Sequence, residues 1–319
     1  MSKWFYILLI FLSCFKFEFE SPYEDVNGIY VQLIKYYSNY SGQKLVIEGQ
    51  YGYLLRKYIH TSRIEKYNFV DIDSIYSISD YVLATTNVDF EISQGYAYVV
   101  LPWSLDIINF EGTEPSFCGY ILIPGGAHII KLQGNNAYLG SDSSLYIVDV
   151  SDKTNPQIIS SCNFSDEIEC IAVDSQYAYI LLVNYDFFIV NIQQPEEPGI
   201  IFQETIGGAS LFALNGRYLY FNILYYNQIH TYEITDVGSI EYITALNLPY
   251  SLRFLYVGET YGLTSDIGST YLLNLEYPAQ PCVSEVLEGD DSYYGVVKGD
   301  YIYLLRPILK IFEIKEVQE

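Results

Sequence analysis

Acidic residues in two short segments are the groups in this sequence that are best suited to chemistry. The segment "NFSDEIEC" supplies Asp166, Glu167 and Glu169, and the segment "LEGDDSYY" supplies Asp290 and Asp291. Carboxylates that converge bind Ca²⁺, which prefers several oxygen ligands, or act as acid and base on a glycosidic bond when two of them stand at a suitable separation. In an acidic chain the same residues are also expected as solvated turn acids. A choice between these interpretations requires knowing where the fold places the two segments.

Three further residues are candidate ligand contacts. Glu91 and Lys131 stand at equivalent positions of two neighbouring sequence repeats, within otherwise apolar segments. A buried charge needs a partner, so we expect an ion pair that is either structural or part of a ligand site. Tyr293 lies beside the second acidic segment and is a candidate for aromatic contact with a sugar or a protein.

Motifs for catalysis or for transition metals are absent from the sequence. It has no H-E-x-x-H, nucleophile elbow or phosphate-binding glycine loop, and its three histidines have no metal-ligand spacing to cysteine. Cys118, Cys162, Cys170 and Cys282 lack C-x-x-C spacing and are interpreted mostly as small buried hydrophobic residues, although an even number permits disulfides in an exported chain. We therefore predict no catalytic residue, and no cofactor beyond the Ca²⁺ considered above.

The composition restricts both the fold and the partners. Half of the 319 residues are hydrophobic, and 35 tyrosines accompany abundant valine and isoleucine, which is typical of strands. The net charge of −23 argues against nucleic acid and against electrostatic binding to anionic lipid, since both need clustered lysine and arginine.

The N-terminal segment predicts export. Lys3 precedes the apolar run "WFYILLIFL", which is too short to span a bilayer but suits a secretory signal within residues 1–20. An A-x-A-like cleavage pattern is missing, whereas Ser13-Cys14 resembles the end of a bacterial lipoprotein signal. Membrane attachment is therefore expected only through a lipidated Cys14. The alternative is a hydrophobic N-terminus that is disordered or locally packed.

Seven repeats organise the rest of the chain. A Gly/polar-x-Tyr-x-Tyr pattern recurs, and its last anchor position falls at Tyr53, Tyr98, Tyr138, Tyr179, Tyr220, Gly262 and Tyr303. Successive anchors are 45, 40, 41, 41, 42 and 41 residues apart. Each repeat has room for four short strands, which is the content of a β-propeller blade.

A polar residue precedes the last apolar residue of the third strand in every repeat. These residues are Asn68, Asn109, Asp149, Asn191, Glu233, Asn274 and Glu313. An acid or amide there is well placed to accept a backbone N–H in the turn that follows. Prolines soon after the strand mark that turn in several repeats.

Residues 21–319 are therefore predicted to form one all-β domain, a seven-bladed β-propeller. The last repeat ends at "LKIFEIKEVQE" with no room for an outer strand, and the run "GIYVQLIKYYSNY" from Gly28 belongs to no other repeat. We predict that this N-terminal run completes the last blade and closes the ring.

The segments "LYIVDVSDKTNPQIISSCNF" and "FFIVNIQQPEEPGIIF" resemble the LVIVD-repeat family of β-propellers. The match is closest over 145–156, clear over 187–198 and partial in two other repeats. The resemblance implies a propeller of the kind found on exported or surface proteins, and it implies no catalytic residue.

These observations together favour a non-catalytic role in protein binding or scaffolding at the cell envelope. The alternative is a glycan-binding or glycan-hydrolysing propeller that uses the acidic and aromatic loops. The expected partner is a protein or a cell-surface glycan.

Overall fold

The computed structural model describes residues 29–37, 42–86, 88–235, 238–250, 252–290, 292–305 and 309–316. Within them the chain forms seven four-stranded antiparallel sheets, and each sheet is one blade of a propeller. The proposed signal segment 1–20, Cys14 and Asp291 lie outside the described residues. No helix in the described part of the chain is long and apolar enough to span a membrane.

The first four blades follow one another along the chain. Blade 1 contains β2 (Lys44–Glu48), β3 (Tyr51–Lys57), β4 (Ser62–Asn68) and β5 (Tyr76–Leu83), with a short 3-10 helix at Ile72–Ser74. Blade 2 contains β6 (Asp89–Ser93), β7 (Tyr96–Leu101), β8 (Ser104–Asn109) and β9 (Ser116–Leu122). Blade 3 contains β10 (Ile129–Gln133), β11 (Asn136–Gly140), β12 (Ser144–Asp149) and β13 (Gln157–Asn163). Blade 4 contains β14 (Ile168–Val173), β15 (Tyr177–Leu182), β16 (Asp186–Asn191) and β17 (Gly199–Thr205).

The last blade takes one strand from the other end of the chain. Blade 5 contains β18 (Ala209–Asn215), β19 (Tyr218–Ile223), β20 (Gln228–Ile234) and β21 (Ile240–Asn247). Blade 6 contains β22 (Phe254–Val257), β23 (Tyr261–Ser265), β24 (Ser269–Asn274) and β25 (Cys282–Glu288). Blade 7 contains β26 (Tyr294–Lys298), β27 (Tyr301–Leu305), β28 (Leu309–Glu316) and, as its outer strand, β1 (Ile29–Tyr37). The predicted closure by the N-terminal strand is confirmed.

The first strand of each blade faces the centre of the ring. These strands contact one another in order around the ring, and β2 of the first blade contacts β26 of the last. Together they line a central channel with a cavity of about 670 Å³. Side chains on the first strands are therefore the groups available to a molecule inside the ring.

The polar residue at the end of the third strand has the predicted function in five blades. The Oδ1 atoms of Asn68, Asn109, Asp149, Asn191 and Asn274 each accept a hydrogen bond of 2.7–3.0 Å from the backbone N–H two residues later. Glu233 and Glu313 have longer side chains and instead pair with Arg217 at 2.8 Å and with Lys315 at 3.1 Å. The shorter Asn and Asp side chains thus define the turn that leads to the outer strand.

Hydrophobic clusters between neighbouring blades form the core. One of them joins Tyr53 and Ile64 of blade 1 to Phe90 and Phe110 of blade 2, and the rings of Tyr53 and Phe110 meet edge to face at 5.7 Å. The anchor tyrosines of the repeat are buried in these clusters, which confirms their interpretation as packing residues between blades. The four described cysteines are unbonded and half-buried, so they are less buried than the sequence suggested.

Two of the buried anchor tyrosines form a matched pair for mutagenesis. The Tyr179 hydroxyl donates to Asp174 Oδ2 at 2.8 Å, whereas the buried Tyr53 hydroxyl has no hydrogen-bond partner among the described residues. We expect Tyr179→Phe to lower the free energy of unfolding by about 1 kcal/mol, because it deletes a bond to a charged group. Tyr53→Phe should leave stability unchanged or raise it, because an unsatisfied polar atom is removed. Urea unfolding of both variants checks this, and an equal loss in the two would contradict it.

Candidate functional site

The antiparallel order within each blade sorts the loops onto two faces. Loops between second and third strands lie on the same face as the connections from one blade to the next, and we call this the linker face. Hydrogen bonds join the two kinds of loop, as from Ile123 N to Trp103 O at 2.9 Å and from Val183 N to Glu167 O at 3.0 Å. The remaining turns, within the first and last strand pairs of each blade, form the opposite face.

Exposed large hydrophobic side chains in the described loops are concentrated on the linker face, while the outer strands of the blades carry ten more. Among the described residues, the linker face carries nine: Tyr58, Ile59, Trp103, Val183, Tyr225, Tyr226, Tyr250, Ile267 and Tyr293. In the same part of the chain the opposite face carries two, Val70 and Tyr277. Most of the linker-face residues are aromatic, and aromatic residues are enriched at protein interfaces. The linker face is therefore the stronger candidate for partner contact.

Two glycine-rich connections support the aromatic side chains of this face. Gly126 and Gly208 have φ of 81° and 83°, a conformation that side-chain-bearing residues rarely adopt. A Cβ atom on Gly126 would lie 2.3 Å from Pro102 O and 3.7 Å from the Trp103 ring, and one on Gly208 would lie 2.8 Å from the Tyr225 ring. The segments "IPGGAH" and "TIGGAS" thus form tight blade-to-blade turns beneath exposed aromatic rings.

A pair of tyrosines links blades 4 and 5 on the linker face. The hydroxyl groups of Tyr185 and Tyr225 are 3.0 Å apart, and their rings meet edge to face at 6.4 Å. Tyr185 has φ of 74°, which is strained for an aromatic residue. Strained residues cluster at binding sites, so this pair is a natural part of a contact surface.

Four charged side chains form a network on one side of the channel. Lys44 Nζ lies 2.9 Å from Asp89 Oδ1 and 3.1 Å from Glu91 Oε1. Lys131 Nζ lies 3.0 Å from the same Glu91 oxygen, so the expected Glu91–Lys131 ion pair is confirmed. Asp89 Oδ2 also accepts a bond of 3.1 Å from the backbone of Ile130.

The network keeps Glu91, Lys44 and Lys131 charged. Burial acts to raise the pKa of Glu91, but the ammonium groups of Lys44 and Lys131 outweigh it and lower this pKa from 4.5 to about 2. Burial likewise acts to lower the pKa of Lys44, but Asp89 and Glu91 together hold it well above its ordinary value. Burial also acts to lower the pKa of Lys131, but Glu91 and Asp89 together hold it above its ordinary value. Glu91, Lys44 and Lys131 are therefore ionised near neutral pH.

The two acidic segments do not approach each other. They connect blades 3 to 4 and blades 6 to 7, so three whole blades separate them around the ring. Asp290 is buried, and its Oδ2 pairs with Lys310 at 2.8 Å. Asp166 accepts a bond from the backbone of Glu167, and Glu169 is exposed. The described acids of one segment therefore form no facing carboxylate pair with those of the other, so the two segments do not combine into a glycosidase site.

Three exposed side chains near blade 3 could hold a divalent ion. His128, Asp142 and Glu167 offer ligand atoms that all lie within 4.8 Å of one another. His128 Nε2 lies 2.8 Å from the carbonyl oxygen of Ile168 and 3.7 Å from Glu167 Oε1. One imidazole with two carboxylates suits Zn²⁺ or Mn²⁺ better than Ca²⁺, which prefers oxygen ligands alone.

Tyr293, the remaining site candidate, is exposed on the linker face. The guanidinium of Arg253 lies 4.9 Å from the centre of its ring. A cation over an aromatic face is attracted by the ring quadrupole, so Arg253 orients the ring while leaving it accessible.

Sequence reasoning missed Lys44 and Asp89. They stand two residues before the positions compared between repeats, and side chains two apart on a strand share one face. Both are charged residues among apolar neighbours, and this contrast could have identified them from the sequence. The grouping of His128 with Asp142 and Glu167 had no such signal, because the three residues come from separate loops.

Comparison with known proteins agrees with this architecture. The LVIVD repeat matches residues 124–164, which contain blade 3 and the connection before it. One of the seven blades is an LVIVD repeat. The resemblance seen in "LYIVDVSDKTNP" is confirmed for this blade, and six further blades of the described structure have the same strand order. No curated protein sequence matches the chain.

Solved structures show the same fold at low sequence identity. The propeller domain of Cps50 (Swd1) from Myceliophteria thermophila superposes with a TM-score of 0.70 at 11% identity, covering 89% of this chain and all of that one. A chain of the Mitotic Checkpoint Complex gives 0.66 at 12% identity, covering 94% and 97%. A protein from Lactobacillus plantarum gives 0.66 at 13% identity, covering 78% and 85%. At these identities the likeness shows the fold alone.

Proposed function

We propose that this LVIVD-repeat propeller is a non-catalytic protein-binding scaffold, exported to the cell envelope, and that its partner binds the linker face. The observation that carries this proposal is the segregation of exposed large hydrophobic side chains between the two loop faces. Among the described residues the linker face has nine, six of them aromatic, and the opposite face has two, one of them aromatic. Interface hot spots are enriched in tryptophan and tyrosine, which suits a surface that includes Trp103, Tyr225 and Tyr226.

Charge specifies the partner further. Asp142, Asp166 and Glu167 lie in loops of the linker face, and Glu169 lies at the adjoining end of β14. The chain as a whole carries a net charge of −23. Complementary potentials speed association and select partners. The proposed partner therefore presents apolar groups together with lysine or arginine.

A solved neighbour and the N-terminal segment support parts of the proposal. The Mitotic Checkpoint Complex is a protein assembly that contains a chain of this fold, so the fold serves protein binding elsewhere. The apolar run "WFYILLIFL" after Lys3 supports export, and Cys14 is the proposed lipidation site if the protein is attached to a membrane.

Affinity purification from cells that make the protein naturally tests the proposal. A variant with Trp103→Ser, Tyr225→Ser and Tyr226→Ser should recover at least about tenfold less partner, because truncating even one aromatic hot spot of an interface costs about 2 kcal/mol or more. The matched control is Val70→Ser with Tyr277→Ser, which removes the two exposed large hydrophobic side chains that the described part of the opposite face carries. Equal recovery with both variants would contradict the proposal.

The same purified wild-type protein and triple variant test the glycan-binding alternative. The exposed tyrosines would also stack on sugar rings, so the purified protein is applied to an array of cell-surface glycans. Saturable glycan binding that the triple variant loses, with no recurrent protein partner, would replace the proposed function by a lectin function.

A further inference from the structure

The central channel has the size and lining of a small-molecule site. Its cavity of about 670 Å³ is lined by the first strands of all seven blades. Ligand sites usually have volumes of about 300–1,000 Å³ and mostly apolar walls with a few polar groups. Nothing in the proposed protein-binding role uses this space.

The wall of the channel is divided into a polar and an apolar side. The charged network of Lys44, Asp89, Glu91 and Lys131 occupies blades 1 to 3. The inner strands of blades 4 to 7 present apolar side chains to the channel, among them Ala172, Ala213, Leu255 and Val296. The two alanines leave room on the apolar side for part of a ligand.

The polar side has unused hydrogen-bond donors. Lys131 bonds only to Glu91 among the described residues, so two N–H groups of its ammonium remain for a ligand. The hydroxyl of Tyr294, which also lines the channel, has no partner in the same part of the chain. Replacing a whole buried ion pair by apolar residues is often neutral or stabilising, so a role in folding alone does not account for a charged network at this place.

We propose that the channel binds a small molecule with an apolar body and an anionic head group, such as a carboxylate, which accepts hydrogen bonds from Lys131 and Tyr294. The apolar body lies against the side formed by Ala172, Ala213, Leu255 and Val296. This inference concerns a site separate from the linker face and does not depend on the proposed protein partner.

Accessibility favours an anion over a cation. The side chain of Lys131 is 37% exposed, whereas those of Glu91 and Asp89 are 19% and 20% exposed. Both oxygens of Asp89 accept hydrogen bonds, and one oxygen of Glu91 accepts from both lysines. The accessible end of the network is therefore an ammonium group, which pairs with an anion.

Fluorescence of anilinonaphthalene sulfonate, an apolar anion, measures binding directly. We expect saturable enhancement with the wild-type protein and a dissociation constant at least about tenfold higher for Lys131→Met, the loss expected for one charge-assisted hydrogen bond. Ala213→Trp, which fills the apolar side, should abolish the signal. Thermal melting establishes that each variant is folded, and Ala172→Leu replaces Ala213→Trp if the latter fails to fold.

Competition and a surface control complete the experiment. Octanoate should displace the dye, and octylammonium, which has the same chain with the opposite charge, should not. The control Trp103→Ser with Tyr225→Ser should bind the dye as the wild type does, because those rings lie on the linker face. Wild-type dye binding by both channel variants, or equal displacement by the two competitors, would overturn the proposal.

Discussion

Replacing Val31 and Ile34 together by aspartate is expected to lower the free energy of unfolding by about 4 kcal/mol. β1 pairs with β28 from Ile29↔Glu316 to Tyr37↔Leu309 and thereby closes the ring. Val31 packs into the cluster between blades 6 and 7, and Ile34 packs into the cluster between blades 7 and 1. Both side chains are half-buried, and each charged replacement forfeits apolar burial and places a carboxylate against a hydrophobic wall.

The neighbouring Leu33 provides the control for this prediction. Leu33 is 46% exposed in the same strand, so Leu33→Asp should change stability by no more than about 0.5 kcal/mol. Urea unfolding followed by circular dichroism measures all variants. A loss of about 4 kcal/mol is a large fraction of the 5–15 kcal/mol typical of a folded domain. A double variant as stable as Leu33→Asp would show that β1 does not hold the ring closed.

Glu91→Gln is expected to destabilise the protein by about 3 kcal/mol at neutral pH. The pKa of Glu91 is lowered from 4.5 to about 2 in the folded protein, and each pKa unit corresponds to about 1.36 kcal/mol. Because the folded pKa is depressed, this stabilisation is fully present above about pH 4.5 and is lost as the pH falls toward 2. The substitution also leaves Lys131 without its carboxylate partner inside the channel.

The pH dependence distinguishes this electrostatic effect from a general loss of packing. The difference in unfolding free energy between wild type and Glu91→Gln should be largest above about pH 5 and should shrink toward pH 2. Glu196→Gln, at an exposed carboxylate of the turn after β16, is the control and should show no such difference. A constant difference across this pH range would contradict the assignment of the stabilisation to the charge of Glu91.

The sequence was sufficient for the architecture because each blade repeats the same physical solution. The buried tyrosines recur at blade spacing, and the Asn or Asp before the end of the third strand forms a local hydrogen bond that depends on a few neighbouring residues. Ring closure by β1 also followed from the repeats, since the last blade lacked a strand and one strand remained. Both the spacing of the repeats and the number of strands can be determined from the sequence alone.

The candidate sites were harder to predict from the sequence, because they are formed by loops that are distant in the chain and meet only in the folded protein. The comparison of Glu91 with Lys131 identified half of the channel network and passed over Lys44 and Asp89 one strand period away. Asp290 was grouped with exposed acids although Lys310, on another strand of the following blade, buries and pairs it. The segregation of aromatic side chains becomes visible only when each loop is assigned to one of the two faces.

Site-specific photo-crosslinking in cells that make the protein naturally tests partner binding on the linker face most directly. A photoreactive amino acid is placed at Trp103 or Tyr225 on the linker face and at Val70 or Tyr277 on the opposite face, and crosslinked chains are identified by mass spectrometry. We expect one recurrent protein to be crosslinked from both linker-face positions. That protein should bind the purified propeller and should fail to bind the variant with Trp103→Ser, Tyr225→Ser and Tyr226→Ser. A recurrent partner crosslinked only from Val70 or Tyr277 would contradict it.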